Sequence, residues 1–242
     1  MPRRKATPAT GTAPAAAPAV AAALPTASAG IEPPAELHVT SRTLKAGTRL
    51  HRVHSDSYAA DQFNPGLKGN ARFSPIKDAS GAPVPTIYAA TTFEAAAMES
   101  VFHDVPHAPG FKQYDKRKLQ GQVHSKVQVT QDLVLADLSS KALRKLGIPR
   151  RDLIDTEKDE YPRTRRWAEA IHAQRPDVQG LAWTSRQDDS AQAVMLFGDR
   201  VPDGALQHAG DSLSLVGDEQ TYADLLALAE VIGVHVVQGK GS

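Results

Sequence analysis

Leu50-His51-Arg52-Val53, Asn70-Ala71-Arg72-Phe73-Ser74, Ile87-Tyr88-Ala89-Ala90 and Ala95-Ala96-Ala97-Met98-Glu99 are the four stretches on which the reading of this chain turns. The first three have the short apolar runs of strands. Thr48 to His54 reads as a strand carrying Arg52, and residues 71–74 and 85–90 read as two more, joined by a loop with a turn at Gly81. The fourth is alanine-rich and favours helix. Thr91 and Glu94 fit a capping box ahead of it, and its end is expected near Asp104, before Pro106.

The pattern continues on both sides of this block. Tyr58 to Ala71 is loop-like, with Asn64-Pro65-Gly66 and Gly69 as turn signals. Alternation over residues 120–129 predicts a strand, and Leu133–Leu138 a more buried one. Ser139 or Ser140 should cap a short helix that Gly147 stops. Pro162 opens a helix to about Gln174, and Leu181–Thr184 and Ala193–Phe197 read as core strands. Asp218 or Thr221 caps a last helix through about Val231, before a strand at Val234–Val237. Strands and helices mix without βαβ regularity, which predicts an α+β fold, a mixed sheet with flanking helices.

Residues 1–34 have another character. Ala, Pro, Thr and Ser dominate, and such a segment cannot bury enough surface to offset its ordering entropy, so a disordered tail is expected ahead of a folded domain over 37–242. A signal peptide is the alternative: Arg3-Arg4-Lys5 leads an Ala-rich stretch, and Ala27-Ser28-Ala29 mimics a cleavage site, though Pro14 and Pro18 interrupt the apolar core.

Composition narrows the function. The 242 residues are 41% hydrophobic and 23% charged, as in ordinary globular proteins. A net charge of +1 supplies no field for nucleic acid or an anionic membrane, and 5% aromatics argue against a single-strand stacking platform. Without Cys there is no disulfide, thiolate zinc site or cysteine nucleophile. No apolar run approaches the roughly 20 residues of a membrane span.

Single residues carry less than their combination. Arg52 and Arg72 sit in apolar strand contexts, where a buried guanidinium needs a partner: an ion pair or a bound phosphate. Tyr88 offers a flat face with a polar tip. Glu99 is flanked by Ala96, Ala97, Met98, Val101 and Phe102, and shares a face with His103, so it is either a working carboxylate or one half of a helix-stabilising pair. Ser185 ends the apolar run Leu181-Ala182-Trp183-Thr184; it serves either backbone or function, and no G-x-S-x-G elbow surrounds it. His103, Asp104 and His107 are close in sequence, but Pro106 breaks the register, so no metal site is expected. There is no P-loop and no G-x-G-x-x-G, so any phosphate is held by side chains.

The order of these residues resembles the RES-domain family of bacterial toxins. Arg52 and Arg72 match its two arginines, Tyr88 its tyrosine, Glu99 its glutamate and Ser185 its serine, with Val194-Met195-Leu196-Phe197 as the apolar strand that follows and His103 in the place of a histidine often found after the glutamate. The likeness covers roughly residues 45–200. Three features depart from it: Asn70-Ala71-Arg72-Phe73-Ser74 replaces a Gly-Gly-Arg-Trp-Asn-like segment, the loop before Tyr88 is longer, and Gln192 stands where Asn is common.

The resemblance implies a fold similar to ADP-ribosyltransferases of the diphtheria-toxin type, a split mixed α/β arrangement around an NAD cleft. It implies cleavage of the nicotinamide–ribose bond, with water or inorganic phosphate as acceptor, in the cytoplasm of the producing or a target cell. In that scheme Glu99, Arg52 and Tyr88 are catalytic and Arg72, Ser185 and His103 bind substrate. NAD is substrate, and neither a metal nor a further cofactor is needed. A separately encoded helix-turn-helix antitoxin is the implied partner, and a homodimer is open. Two alternatives stand beside this reading: a protein ADP-ribosyltransferase, and a RES module that binds a nucleotide or partner without turnover.

Overall fold

A computed structural model describes residues 32–66 and 68–239 of the protein. The expected tail at 1–34 therefore lies almost wholly outside the described residues. Of it, Glu32 is placed, paired with Arg166 at 2.5 Å.

The first half of the chain forms β1 (Ser41–Leu44), β2 (Arg49–Ser55), β3 (Ile76–Lys77), β4 (Pro83–Val84), β5 (Thr86–Ala90), α1 (Phe93–Ser100), β6 (Lys112–Asp115), β7 (Gln122–Val129) and β8 (Leu133–Asp137). The second half adds α2 (Leu143–Leu146), α3 (Arg150–Leu153), α4 (Tyr161–Gln174), β9 (Gly180–Thr184), β10 (Gln192–Phe197), β11 (Leu206–His208), β12 (Leu213–Ser214), α5 (Glu219–Val231) and β13 (Val234–Val237). The main sheet has nine strands in the order β1-β8-β9-β10-β5-β2-β7-β11, with β12 also on β7. Among the described residues only β8–β9 is parallel within it. The fold is α+β, a mixed sheet with flanking helices, as the lack of βαβ regularity predicts.

One feature of the register positions the site. β2 pairs with β7 from Arg49 to Ser55, but with β5 only at His51↔Ala90. Beyond that point β2 and β5 diverge, and the sheet is split along that line. α1 crosses the split: Ala95 and Ala96 pack with Ala90, Ala191 and Val53. Small side chains let the helix lie close to the strands. On one side Trp167 of α4 packs with Phe73, Trp183 and Met195; on the other Leu50, Val127, Leu135 and Leu196 form a second core. A third cluster joins α1 to α5 through Phe93, Met98, Phe102, Leu225 and Ala229.

Several local expectations are corrected. Residues 71–74 are a tight turn rather than a strand, with Ala71 N–H donating to the Ser74 carbonyl at 3.0 Å. The cap of α1 is Thr92, whose hydroxyl accepts from Ala95 N–H at 3.1 Å; Thr91 instead accepts from Gln192 N–H at 3.0 Å and ties the helix start to β10. With the cap moved by one residue, Glu94 no longer occupies the reciprocal position of a capping box. The helix ends at Ser100, not near Asp104, because Val101 and Phe102 N–H both turn back to the Ala97 carbonyl as Phe102 enters the core. The short strands β1, β6, β11 and β12 go unseen in the sequence, being two to four residues long and half exposed.

Candidate active site

The split in the sheet opens into a cleft of about 290 Å³, bordered by residues 51–53 of β2, 70–72, Tyr88–Ala90 of β5, α1, the segment 157–161, Trp183 and Arg186. Glu99 stands in it on the last turn of α1. Ser185, just past β9, is completely buried, and its hydroxyl donates to Glu99 Oε1 at 2.7 Å. The same oxygen accepts from Gln187 N–H at 3.0 Å and Asp188 N–H at 3.2 Å. Two backbone donors occupy the serine lone pairs, so its proton is directed at the carboxylate. Ser185 serves backbone and site at once. It fixes Glu99, and with its proton and lone pairs committed it is poorly set up as a nucleophile.

Arg72 faces the other carboxylate oxygen, Nη1 to Oε2 at 4.0 Å, and its guanidinium lies 5.6 Å from the centre of the Tyr161 ring. Three contacts hold its backbone: the Thr164 hydroxyl on the Arg72 carbonyl, Arg165 Nε on the Ala71 carbonyl at 3.2 Å, and Phe73 N–H on the Tyr88 hydroxyl at 3.1 Å. The turn at 71–74 thus replaces the expected strand to aim Arg72 into the cleft. Burial pushes the Tyr88 phenol up to about 12, so it remains a neutral hydrogen-bonding group throughout the physiological range. Its ring stands edge-on to Trp183, which stands edge-on to Phe73 in turn.

Arg52 borders the same cleft, but its Nη1 donates to the carbonyls of Ala59 (3.3 Å), Ala60 and Gln62 (3.5 Å). Alternation along β2 sends Leu50 and Arg52 to one face and His51 and Val53 to the other. His103 lies on the rim, its Nδ1 donating to the Ser100 carbonyl at 2.8 Å and its Nε2 3.2 Å from Asp104. The helix-stabilising Glu99–His103 pair that the spacing allowed is not formed; Glu99 reaches Ser185 instead.

Buried Nε atoms of Arg52 and Arg72 and Nε1 of Trp183 have no hydrogen-bond partner among the described residues. All three residues border the cleft, and all three orphans are donors. A buried donor left unpaired costs about 1–3 kcal/mol, a cost carried by the walls of the cleft. Among the described residues no group of three His, Cys, Asp or Glu side chains could hold a metal ion, and no helix is long and apolar enough to cross a membrane.

Sequence reasoning missed His51, Lys158, Tyr161, Trp183 and Arg186 as cleft residues. Strand parity hid His51, since it puts that residue on the face opposite Arg52, yet the split in the sheet brings both to the cleft. His51 stacks on His124 with ring centroids 5.1 Å apart, and its Nδ1 lies 2.9 Å from His124 Nε2. Burial lowers the His124 pKa to about 4 and also lowers that of His51, with Lys126 adding to both. A histidine whose folded pKa is depressed is stable when neutral, so stability is lost as pH falls from the unfolded value near 6.5 toward 4. Replacing His124 with Gln should flatten the dependence of melting temperature on pH in that window. A variant with an unchanged slope would show that other groups set it.

The RES domain family model matches residues 49–218. The chain belongs to the RES domain family. A search of curated proteins found no match. Among solved structures, a chain of the M. tuberculosis MbcT–MbcA toxin–antitoxin complex is similar, with a TM-score of 0.55 and 17% identity over 76% of this chain and 92% of that one. At that identity the likeness shows a shared fold. Arg52, Arg72, Tyr88, Glu99 and Ser185 of this RES domain all fall inside the matched span.

Proposed function

We propose that this RES domain is the toxin of a toxin–antitoxin pair and depletes NAD by cleaving the bond between nicotinamide and ribose. The observation that carries this reading is a carboxylate, Glu99, fixed by Ser185 and opposed by the Arg72 guanidinium in one cleft. NAD has a diphosphate for the guanidinium and, for the carboxylate, a glycosidic carbon that becomes cationic as its bond breaks.

As the C1′–N bond lengthens, its electron pair leaves with nicotinamide, which departs neutral. The developing oxocarbenium is stabilised by the Glu99 carboxylate, held still by the Ser185 proton. The acceptor oxygen, of water or inorganic phosphate, then bonds to C1′ as its O–H bond breaks and the proton is released to solvent. Arg72 holds the diphosphate and Tyr88 with Trp183 packs against the nicotinamide end. Arg52 acts as a positioning residue, through the carbonyls of the 59–62 segment that it holds. His103 contributes at the rim. The work takes place in the cytoplasm, where NAD is abundant, and a separately encoded antitoxin restrains it; the similar solved structure, itself a toxin–antitoxin complex, supports such a partner.

Incubating the purified protein with NAD tests this directly. The expected result is free nicotinamide in proportion to NAD lost, with no label transferred to protein. A labelled protein band would instead make it a protein ADP-ribosyltransferase. Binding without nicotinamide release would make it a nucleotide-binding module.

A further inference from the structure

The charges along the cleft present a difficulty for an anionic ligand. Among the described residues four cations border it, Arg52, Arg72, Lys158 and Arg186, and each is already committed. Arg52 donates to carbonyls, Arg72 faces Glu99, Arg186 Nη2 pairs with Glu157 at 2.6 Å, and Lys158 Nζ pairs with Asp104 Oδ2 at 2.5 Å. The three carboxylates Glu99, Asp104 and Glu157 cancel most of the field that a diphosphate would need.

These pairs differ in how readily they can open. The Arg186 side chain is 13% exposed and also donates to the Thr156 carbonyl, so it is fixed in place. Lys158 and Asp104 are 44% and 58% exposed, and the Lys158 ammonium has no other partner among the described residues. Asp104 lies just beyond α1, while Lys158 opens the 3-10 turn Lys158–Glu160 that runs directly into α4 at Tyr161. The pair therefore bridges the two walls of the cleft mouth. Lys158 also stands one turn before Tyr161, the ring over which the Arg72 guanidinium sits. Residues three apart on such a turn share a side, and Lys158, Tyr161 and Arg72 all border the same cleft.

We propose that Lys158 is a second diphosphate-binding residue beside Arg72, and that Asp104 is a placeholder that the substrate diphosphate displaces. This rests on the NAD reading given above and adds to it the residue that recognises the diphosphate and the carboxylate that competes for it. An exposed ion pair is weak, so the exchange is easy: the lysine leaves a solvated carboxylate for a dianion already gripped by Arg72. Asp104 also faces His103 Nε2 at 3.2 Å, so the displaced carboxylate keeps a neighbour on its own wall.

The test is calorimetric titration with ADP-ribose, which keeps the diphosphate and has no nicotinamide bond to cleave, and with adenosine, which lacks the diphosphate. Lys158→Gln should weaken ADP-ribose binding about 10-fold or more, the size of one lost charge-assisted contact, and leave adenosine binding unchanged. Asp104→Asn should tighten ADP-ribose binding about 2- to 5-fold, as removal of one exposed competing pair allows. That gain must vanish when Asp104→Asn is made in the Lys158→Gln background, because a general change in net charge would persist there. Both positions are exposed, so melting curves should be unchanged. If the unaltered protein binds ADP-ribose but Asp104→Asn leaves affinity the same or weaker, or tightens it equally without Lys158, the placeholder is overturned. If the unaltered protein binds neither ADP-ribose nor NAD, the NAD reading itself is overturned.

Discussion

Glu99→Gln is expected to abolish NAD cleavage while leaving the fold and most of the NAD affinity in place. The substitution keeps the shape of the side chain, and the Ser185 hydroxyl, now 2.7 Å from Oε1, can donate to a carboxamide oxygen in the same position. What disappears is the negative charge opposite the forming oxocarbenium. That charge matters in the transition state far more than in the bound substrate, so turnover falls and binding does not. Loss of one such electrostatic contact commonly lowers rates about 100- to 1000-fold. Nicotinamide release measured beside a melting curve decides the matter. Turnover near that of the unaltered protein would remove Glu99 from the chemistry and with it most of the proposed mechanism.

Arg52→Ala and Arg72→Ala should fail in different ways, although sequence treats the two arginines alike. Arg52 is 8% exposed, and its Nη1 donates to three carbonyls between Ala59 and Gln62. Truncation strands those acceptors, at a cost of about 1–3 kcal/mol; in a chain of this size each kcal/mol lowers the melting temperature by about 2–4 °C. Arg72 is equally buried, yet its Nε has no partner and its nearest charge is 4.0 Å away. Its removal should leave the melting temperature almost unchanged and weaken ADP-ribose binding about 10- to 150-fold, the equivalent of one charge-assisted contact. An Arg52→Ala variant that melts normally but no longer binds would reverse the assignment and place the Arg52 guanidinium on the ligand.

The long elements were legible because each carries its own signal. α4 runs Tyr161–Gln174, with Pro162 in its first turn, and α5 runs Glu219–Val231 behind its Asp218 cap, both within a residue of the reading from propensity and capping. The strands β7, β9 and β10 follow from apolar pattern alone. The turn at 71–74 was misread because its residues suit a strand; what bends it is a hydrogen bond from Phe73 N–H to the hydroxyl of Tyr88, fifteen residues on. The cap of α1 was misplaced because Thr91 and Thr92 are chemically equivalent, and contact with Gln192, about a hundred residues away, selects between them.

By itself the sequence determined the α+β class, the absence of cysteine chemistry, and the set of residues that resemble the RES family, since composition, periodicity and residue order are all local properties. Tertiary structure decided which of those residues act together. Glu99 spacing offered His103 as a partner, while the fold delivered Ser185, 86 positions away, because β10 lies between β9 and β5 and carries the end of β9 to α1. The two arginines separated for the same kind of reason. Strand parity and the 59–62 segment claimed the guanidinium of Arg52, and a turn held by Tyr88 and Thr164 set that of Arg72 in the cleft. Side-chain direction is fixed by contacts between distant segments, and sequence spacing carries no record of those contacts.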